Sequence, residues 1–388
     1  MNKLYVGAWI SLLASVGAAK AQPIQGTLIG QDSTRYQPII TAVPFLLITP
    51  DSRAAGMGDV GAATTPDANS NYWNAAKLAF IDKGYGVAGS YTPWLGKIVN
   101  DMSIFYLSGF YKITNEQTVA ASMKYFDLGA VQLRDGANNS LGDFNPRDFA
   151  FDVTYSRKLT DEFSIGGSLR YIHSNLVGFF SSNGVEAQPG NSVAVDLGVF
   201  HTKPLESRNA TFSWGASISN IGAKITYSNA DNRDFIPTNL RIGGAYKMEL
   251  NPLNTITFAL DMNKLMVPSP RPNGSEREKS LLSGMFGSFG DARGGFREEI
   301  QEIAIASGVE YWYDNKFSGR LGYFHEATDK GNRKYLTAGV GARLNNFGFD
   351  VAYLVPTNRQ ENALAETIRF TLLFAFENKL READTVTE

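Results

Sequence analysis

Cysteine is absent from the 388 residues, and histidine occurs only three times. A chain without thiols forms no disulfide and has no thiolate chemistry, so its stability in an oxidising compartment must come from the fold itself. Neither sign of charge dominates, with 36 Lys and Arg against 38 Asp and Glu. That balance leaves no electrostatic footprint for nucleic acid, which is excluded as a partner. After residue 21 no apolar stretch reaches 18 residues, which excludes membrane-spanning helices. His173, His201 and His325 fall on different predicted strands and form no HxxxH-type pair. They read as interfacial or lumen residues, with no metal site and no cofactor implied. GxSxG is also missing, so an enzyme would need a Ser–His pair assembled from distant segments.

What is present begins with an export signal. Lys3 supplies the positive end, Leu4 to Ala19 is almost wholly apolar, and Ala19-Lys20-Ala21 is a small-x-small cleavage site. The apolar run is short for a membrane anchor. Residues 1–21 are therefore expected to leave, with the mature chain starting at Gln22. Loss of Lys3 and Lys20 leaves 34 basic residues against 38 acidic ones, a net charge of −4. The remaining chain is long for one hydrophobic core, yet no linker divides it. The full sequence's 38 glycines and 12% aromatic residues suit a transmembrane β-barrel, whose spans are short and polar on alternate residues.

From Tyr85 onward apolar residues alternate with small or polar ones, the period-2 pattern of a sheet with two different faces. Fourteen such runs are predicted. The first seven are Tyr85 to Tyr91, Met102 to Lys112, Thr118 to Leu128, Asp148 to Leu159, Phe163 to Ser174, Ser192 to His201 and Ala210 to Asn220. The others are Asn239 to Met248, Thr255 to Asn263, Ile303 to Tyr313, Phe317 to His325, Tyr335 to Leu344, Phe347 to Val355 and Thr367 to Phe376. The connections alternate short and long through all thirteen. Those at 113–117, 160–162, 202–209, 249–254, 314–316 and 345–346 are short. Those at 92–101, 129–147, 175–191, 221–238, 264–302, 326–334 and 356–366 are longer. Outer-membrane barrels have short periplasmic turns and long extracellular loops, so an even strand count places both barrel ends in the periplasm.

A soluble β-sandwich or propeller also alternates. The last run opposes that reading, because Ile368, Phe370, Leu372, Phe374 and Phe376 share one face that suits lipid better than water. Charges cost roughly 2 to 4 kcal/mol on a lipid face near the midplane. Lys124, Asp152, Arg170, Asp196, Arg241, Asp261 and Glu310 are therefore expected to point inward, either pairing within a filled lumen or lining a permeation path. The predicted fold is all-β: a fourteen-stranded antiparallel transmembrane β-barrel over 84–376, with a small N-terminal segment and hatch at 22–83 and a polar periplasmic tail at 377–388.

In the hatch segment Gly56, Gly58 and Gly61 match GxGxxG, the phosphate-cradling fingerprint. That motif works only in a βαβ unit, and here the chain leads straight into barrel strands. Glycines that let a plug pack tightly against the barrel wall are the better reading. Ser52-Arg53-Ala54-Ala55-Gly56-Met57-Gly58-Asp59, Pro66-Asp67-Ala68-Asn69-Ser70 and Trp73-Asn74-Ala75-Ala76-Lys77-Leu78-Ala79 resemble the N-terminal hatch of FadL-type fourteen-stranded barrels, with Asn74-Ala75-Ala76 where that superfamily usually has Asn-Pro-Ala. Arg53, Gly56, Gly58 and Asn74 are its candidate site residues. More closely, Val43-Pro44-Phe45-Leu46-Leu47-Ile48-Thr49-Pro50-Asp51-Ser52-Arg53, Gly331-Asn332-Arg333-Lys334-Tyr335 and Arg369-Phe370-Thr371-Leu372-Leu373-Phe374 resemble the PorV family, the outer-membrane shuttle proteins of the type IX secretion system of Bacteroidetes.

The resemblance implies a non-enzymatic role. Family members bind the C-terminal signal domain of cargo as it leaves the translocon channel and deliver it to the surface attachment complex with its PorU-like component. Outer-membrane lipid and lipopolysaccharide would surround the barrel. Two other readings share the architecture: a FadL-like channel for hydrophobic small molecules, and a surface esterase acting on lipopolysaccharide.

The longest loop, Lys264 to Glu302, is the natural partner surface. Val267 to Pro272 is proline-rich and extended, and Glu276 to Lys279 is charged. Leu281, Leu282, Met285, Phe286 and Phe289 then fall at roughly helical spacing. They are expected either to cap the barrel mouth or to form an exposed patch for another protein.

Overall fold

Residues whose side chains alternate between lipid and a polar interior can bury both faces only if the sheet closes on itself. The computed structural model describes residues 38–377, apart from 96–100, 135–137, 139, 177, 179, 183–184, 229–232, 272–273 and 358–366. The expected export signal, residues 22–37 and the tail after Glu377 lie outside the described residues.

The wall consists of β1 (Tyr85–Pro93), β2 (Ser103–Lys112), β3 (Gln117–Asp127), β4 (Arg147–Lys158), β5 (Phe163–Asn175), β6 (Gly190–Leu205) and β7 (Ala210–Gly222). It continues with β8 (Asn239–Asn251), β9 (Asn254–Leu265), β10 (Ile303–Tyr313), β11 (Phe317–His325), β12 (Lys334–Leu344), β13 (Phe347–Pro356) and β14 (Ile368–Phe376). Each strand pairs antiparallel with the next, and β14 returns to β1 with Phe376 opposite Tyr85 and Phe370 opposite Tyr91. The barrel is closed. On β4, Phe151, Val153 and Tyr155 are exposed to lipid while Ala150, Asp152, Thr154 and Ser156 are buried inside. Aromatic pairs mark both rims, Tyr85 on Phe376 at 5.0 Å near the short turns and Tyr91 on Phe105 at 4.9 Å near the long loops. Such girdles flank the apolar band of outer-membrane barrels.

Some local features depart from the expected pattern. β6 runs on to Leu205 because residues 202–205 pair with 213–210, so the turn expected at 202–209 shrinks to four residues. Two outer loops carry hairpins of their own, Val131–Arg134 with Ser140–Phe144 and Phe180–Ser182 with Val185–Ala187. Strands this short leave no readable periodicity. Finally, Val195 faces Ile221 whereas Leu197 faces Ile218, a bulge that places Asn220 at φ 60 and sends its backbone N–H to Asp196 Oδ1 at 2.7 Å. Bulges re-aim side chains in this way.

Inside the wall sits the segment around residues 42–81. It folds into short turns, Pro44–Leu47, α1 (Ser52–Ala55), α2 (Ser70–Trp73) and Ala75–Phe80. None is long enough to be stable alone, and each is held by the strands around it. Met57, Val60, Ala63 and Ala76 pack with Phe200, Ala306, Phe324 and Leu354 from the wall. Val43, Phe45 and Leu46 form a second cluster with Ile104, Phe126 and Ile172 toward the long-loop end.

Candidate functional site

The hatch is tied to the wall by polar contacts that begin at Arg53. Its Nε and Nη2 donate to Glu310 at 2.9 and 2.7 Å, and its Nη1 donates to Asp67 Oδ2 and Thr65 O at 2.9 Å each. Glu310 also accepts from Arg320 Nε at 2.7 Å, and Arg320 Nη1 reaches Asp350 at 2.7 Å, where Arg343 Nη2 closes the chain at 2.6 Å. A second group joins Asp152, Arg170 and Asp196, with Arg170 at 2.5 Å from Asp152 and 2.9 Å from Asp196. Lys124 donates to the hatch carbonyls of Leu46 and Ile48. Asp261 accepts from the backbone N–H groups of Gly61 and Ala62 at 2.8 and 2.9 Å. Arg241 lies over the Trp73 ring at 4.3 Å. These inward charges of the wall are thus spent on one another and on the hatch, which gives each of them partners.

Glycines let the two backbones meet. At Gly58, φ is +73 and an added Cβ would stand 2.5 Å from Tyr323 N, so both the conformation and the space require glycine. Opposite it, a Cβ on Gly322 would stand 2.0 Å from Gly58 N and 2.1 Å from Met57 C. Gly58 N–H donates to Thr337 Oγ1 at 2.8 Å. Gly56 faces Gly339 less tightly, an added Cβ on either standing 3.1 Å from the Cα of the other. Asn74 donates to Val199 O at 2.9 Å and Ala62 O at 3.2 Å, while its Oδ1 accepts from Ala76 N at 3.1 Å. That cap starts the turn at Ala75 without a proline.

At the other end the long loop folds into α3 (Leu281–Gly287) and α4 (Phe296–Gln301). Of the five apolar residues expected to act together, Met285 is 3% exposed and Leu281 is half-buried. Leu282, Phe286 and Phe289 are 60%, 67% and 48% exposed. Gly284 lets α3 press on Phe235 of the neighbouring loop. The ion pairs Arg277–Asp234 at 3.0 Å and Lys279–Asp291 at 2.8 Å, with Lys224 donating to Arg277 O at 2.7 Å, hold that packing. The helix therefore caps with one face and presents the other.

The second helix is latched by lysines. Lys264 Nζ lies 2.6 Å from Glu302 and 3.1 Å from Glu299, and Lys330 Nζ lies 2.5 Å from Glu298 and 2.9 Å from Glu302. Burial pushes the Glu298 carboxyl up, but the Lys330 hydrogen bond, the Gly294 N–H and the charges of Lys330 and Arg293 outweigh it and hold the group below its ordinary range. Burial pushes Lys330 down, and its bonds to Glu298 and Glu302 more than reverse this.

A family profile described as "Type IX secretion system protein PorV" matches residues 31–272. The chain belongs to the PorV family. Among solved structures, the PorV-family chain is similar to the TodX deltaS2S3 mutant monoaromatic hydrocarbon channel, with 12% identity, TM-score 0.51, and coverage of 86% of this chain and 100% of that one. The CymD monoaromatic hydrocarbon channel gives 11% identity and TM-score 0.50, covering 86% and 99%. A Pseudomonas aeruginosa FadL homologue gives 11% identity and TM-score 0.47, covering 88% and 100%. At these identities the likeness concerns the fold, that of FadL-like fourteen-stranded outer-membrane barrels. No curated protein sequence matches the chain.

The PorV-family barrel places its three histidines on the outward phase of the wall, so they are interfacial and not in the lumen. His173 lies tilted against Phe149 at 5.1 Å, His201 stacks on Trp214 at 5.8 Å, and His325 meets Tyr323. The sequence did not foretell α4, and Lys264, expected to open the loop, is a strand residue of β9 paired with Ile303 and Leu240. A signal was present in the i,i+4 pairs Phe296/Ile300 and Glu298/Glu302 after Gly294-Gly295. Six residues are too few for periodicity to be read with any contrast.

Proposed function

We propose that this PorV-family barrel is a non-enzymatic carrier that takes the C-terminal signal domain of secreted cargo from the translocon channel and delivers it to a PorU-like attachment complex at the cell surface. The observation that carries the reading is the exposed pair Leu282 and Phe286 on α3, fixed at the outer rim by a helix face already packed on Phe235. Apolar side chains kept in water on a rigid element mark a protein-binding surface. A channel for hydrophobic compounds, the activity named for TodX and CymD, would need a route past the hatch. Hatch contacts to inward residues from Ser108 on β2 round to Thr371 on β14, and an unbroken ladder from β14 to β1, weigh against it.

The test is co-purification from native outer membranes with the Leu282→Asp/Phe286→Asp double variant. Recovery of cargo bearing C-terminal signal domains should fall by roughly ten-fold or more, since losing two apolar anchors costs on the order of 1.4 kcal/mol or above. Unchanged recovery from a correctly assembled variant would remove the rim from the mechanism.

A further inference from the structure

Outside the wall, below the rim, α4 overhangs a trough of about 280 Å³ lined by Ile242, Met262, Phe289, Phe296, Ile300 and Ile303. Its position follows from strand phase. Lys264 lies on the same outward phase of β9 as Met262 and Leu260, both of which face lipid. In cross-strand register it sits between Leu240 on β8 and Ile303 on β10. A lysine so placed would face the membrane boundary, and it is buried instead because Glu299 and Glu302 fold down over it. Lys264 also lies 5.6 Å from the Phe289 ring. The latch therefore drapes α4 over the outside of the barrel.

The helix divides its residues accordingly. Glu298 and Glu302 share the edge gripped by Lys330, whereas Phe296 and Ile300, one turn apart, share the opposite edge and are 80% and 52% exposed. Arg297 follows next to the apolar edge, and Arg293 precedes the helix; both are exposed. This is the distribution of an interfacial helix, with large apolar residues toward acyl chains and arginine at headgroup level. The trough is continuous with the lipid-covered face of β8 and β9, where Ile242 and Met262 are 43% and 45% exposed.

We propose that the trough holds an acyl chain of a phosphorylated outer-leaflet lipid, whose phosphate is met by Arg293 and Arg297. Continuity with the lipid face selects an acyl chain, and the two arginines select an anionic headgroup over a zwitterionic one. The site is separate from the Leu282/Phe286 surface on α3.

The full barrel is reconstituted in nanodiscs containing a minority of bis-phosphorylated lipid A in phosphatidylethanolamine, and lipid retained after gentle release is read by native mass spectrometry. Wild type should retain lipid A above its share of the disc. Arg293→Glu/Arg297→Glu should abolish that preference, a fall of roughly ten-fold or more for two charges near the headgroups. Ile300→Trp, which fills the trough from an exposed position, should reduce retention while the arginines remain. Heat-modifiable migration on gels checks that each variant is a folded barrel. Equal retention by wild type and all variants would overturn the proposal, as would retention of phosphatidylethanolamine without preference or occupation of the trough by a co-purifying protein. Cargo capture should survive both variants and fail only in Leu282→Asp/Phe286→Asp, so this site and the carrier reading fail separately.

Discussion

Replacing Arg53 with alanine removes the hatch side chain that joins Glu310 to Asp67. Arg53 and Glu310 have side chains 10% and 2% exposed and share two hydrogen bonds of 2.7 and 2.9 Å. Breaking a buried ion pair by deleting one partner costs about 3 to 5 kcal/mol, because the surviving charge is left desolvated. Glu310 keeps Arg320 at 2.7 Å, so the lower end applies, about 3 kcal/mol. The wall has its own ladder, so the loss should appear as local opening of the hatch. Hydrogen exchange of the amides of residues 54–59 should accelerate roughly a hundred-fold, while strand amides of β10 to β12 stay protected. Glu310→Gln alone should also be costly, since it leaves Arg53 and Arg320 facing a neutral amide. The double variant should lose less than the sum of the singles by at least about 1 kcal/mol. Exchange accelerated less than about five-fold, or strict additivity, would refute the view that this pair fastens the hatch.

Gly322→Ala forces a Cβ to within 2.0 Å of Gly58 N, backbone against backbone, so the hatch must shift from the wall; planar-bilayer recordings should show ion conductance above wild type, and identical conductance would count against a backbone-tight seal. The latch on α4 should respond to acid. Glu298 is held below its ordinary range, so its contribution is present above the unfolded carboxylate value and is lost as pH falls through the lower folded one. Lys330 is raised, so its contribution persists until pH climbs above the ordinary lysine range. Tryptic cleavage after Arg297 should therefore be slow near neutral pH, and after a brief acid pulse below about pH 4, hydrogen exchange of α4 should rise while α3 is unchanged.

Local sequence determined the wall. Strand count, the alternation of short turns with long loops, and the inward aim of Lys124, Asp152, Arg170 and Glu310 all follow from a period of two and from the cost of charge in lipid, both readable within ten residues. Partnership needed the closed barrel. Arg53 meets Glu310 across 257 positions, and Asp196 gains a backbone N–H only because a bulge turns Asn220 toward it, so neither pair is written in any local pattern. The loop shows the same division at smaller scale. Helical spacing marked Leu281, Leu282, Met285, Phe286 and Phe289 as a group, but the seating of Gly284 on Phe235 of a different loop sets which face of the helix is covered, with Met285 buried and Leu282 and Phe286 left in water. α4 takes its position from Lys264 and Lys330, residues on either side of β10 and β11 that the side-by-side pairing of β9 to β12 brings to one helix. Periodicity reports which face a residue takes, whereas the shear of fourteen strands sets which residues share a level, and that is a property of the whole ring.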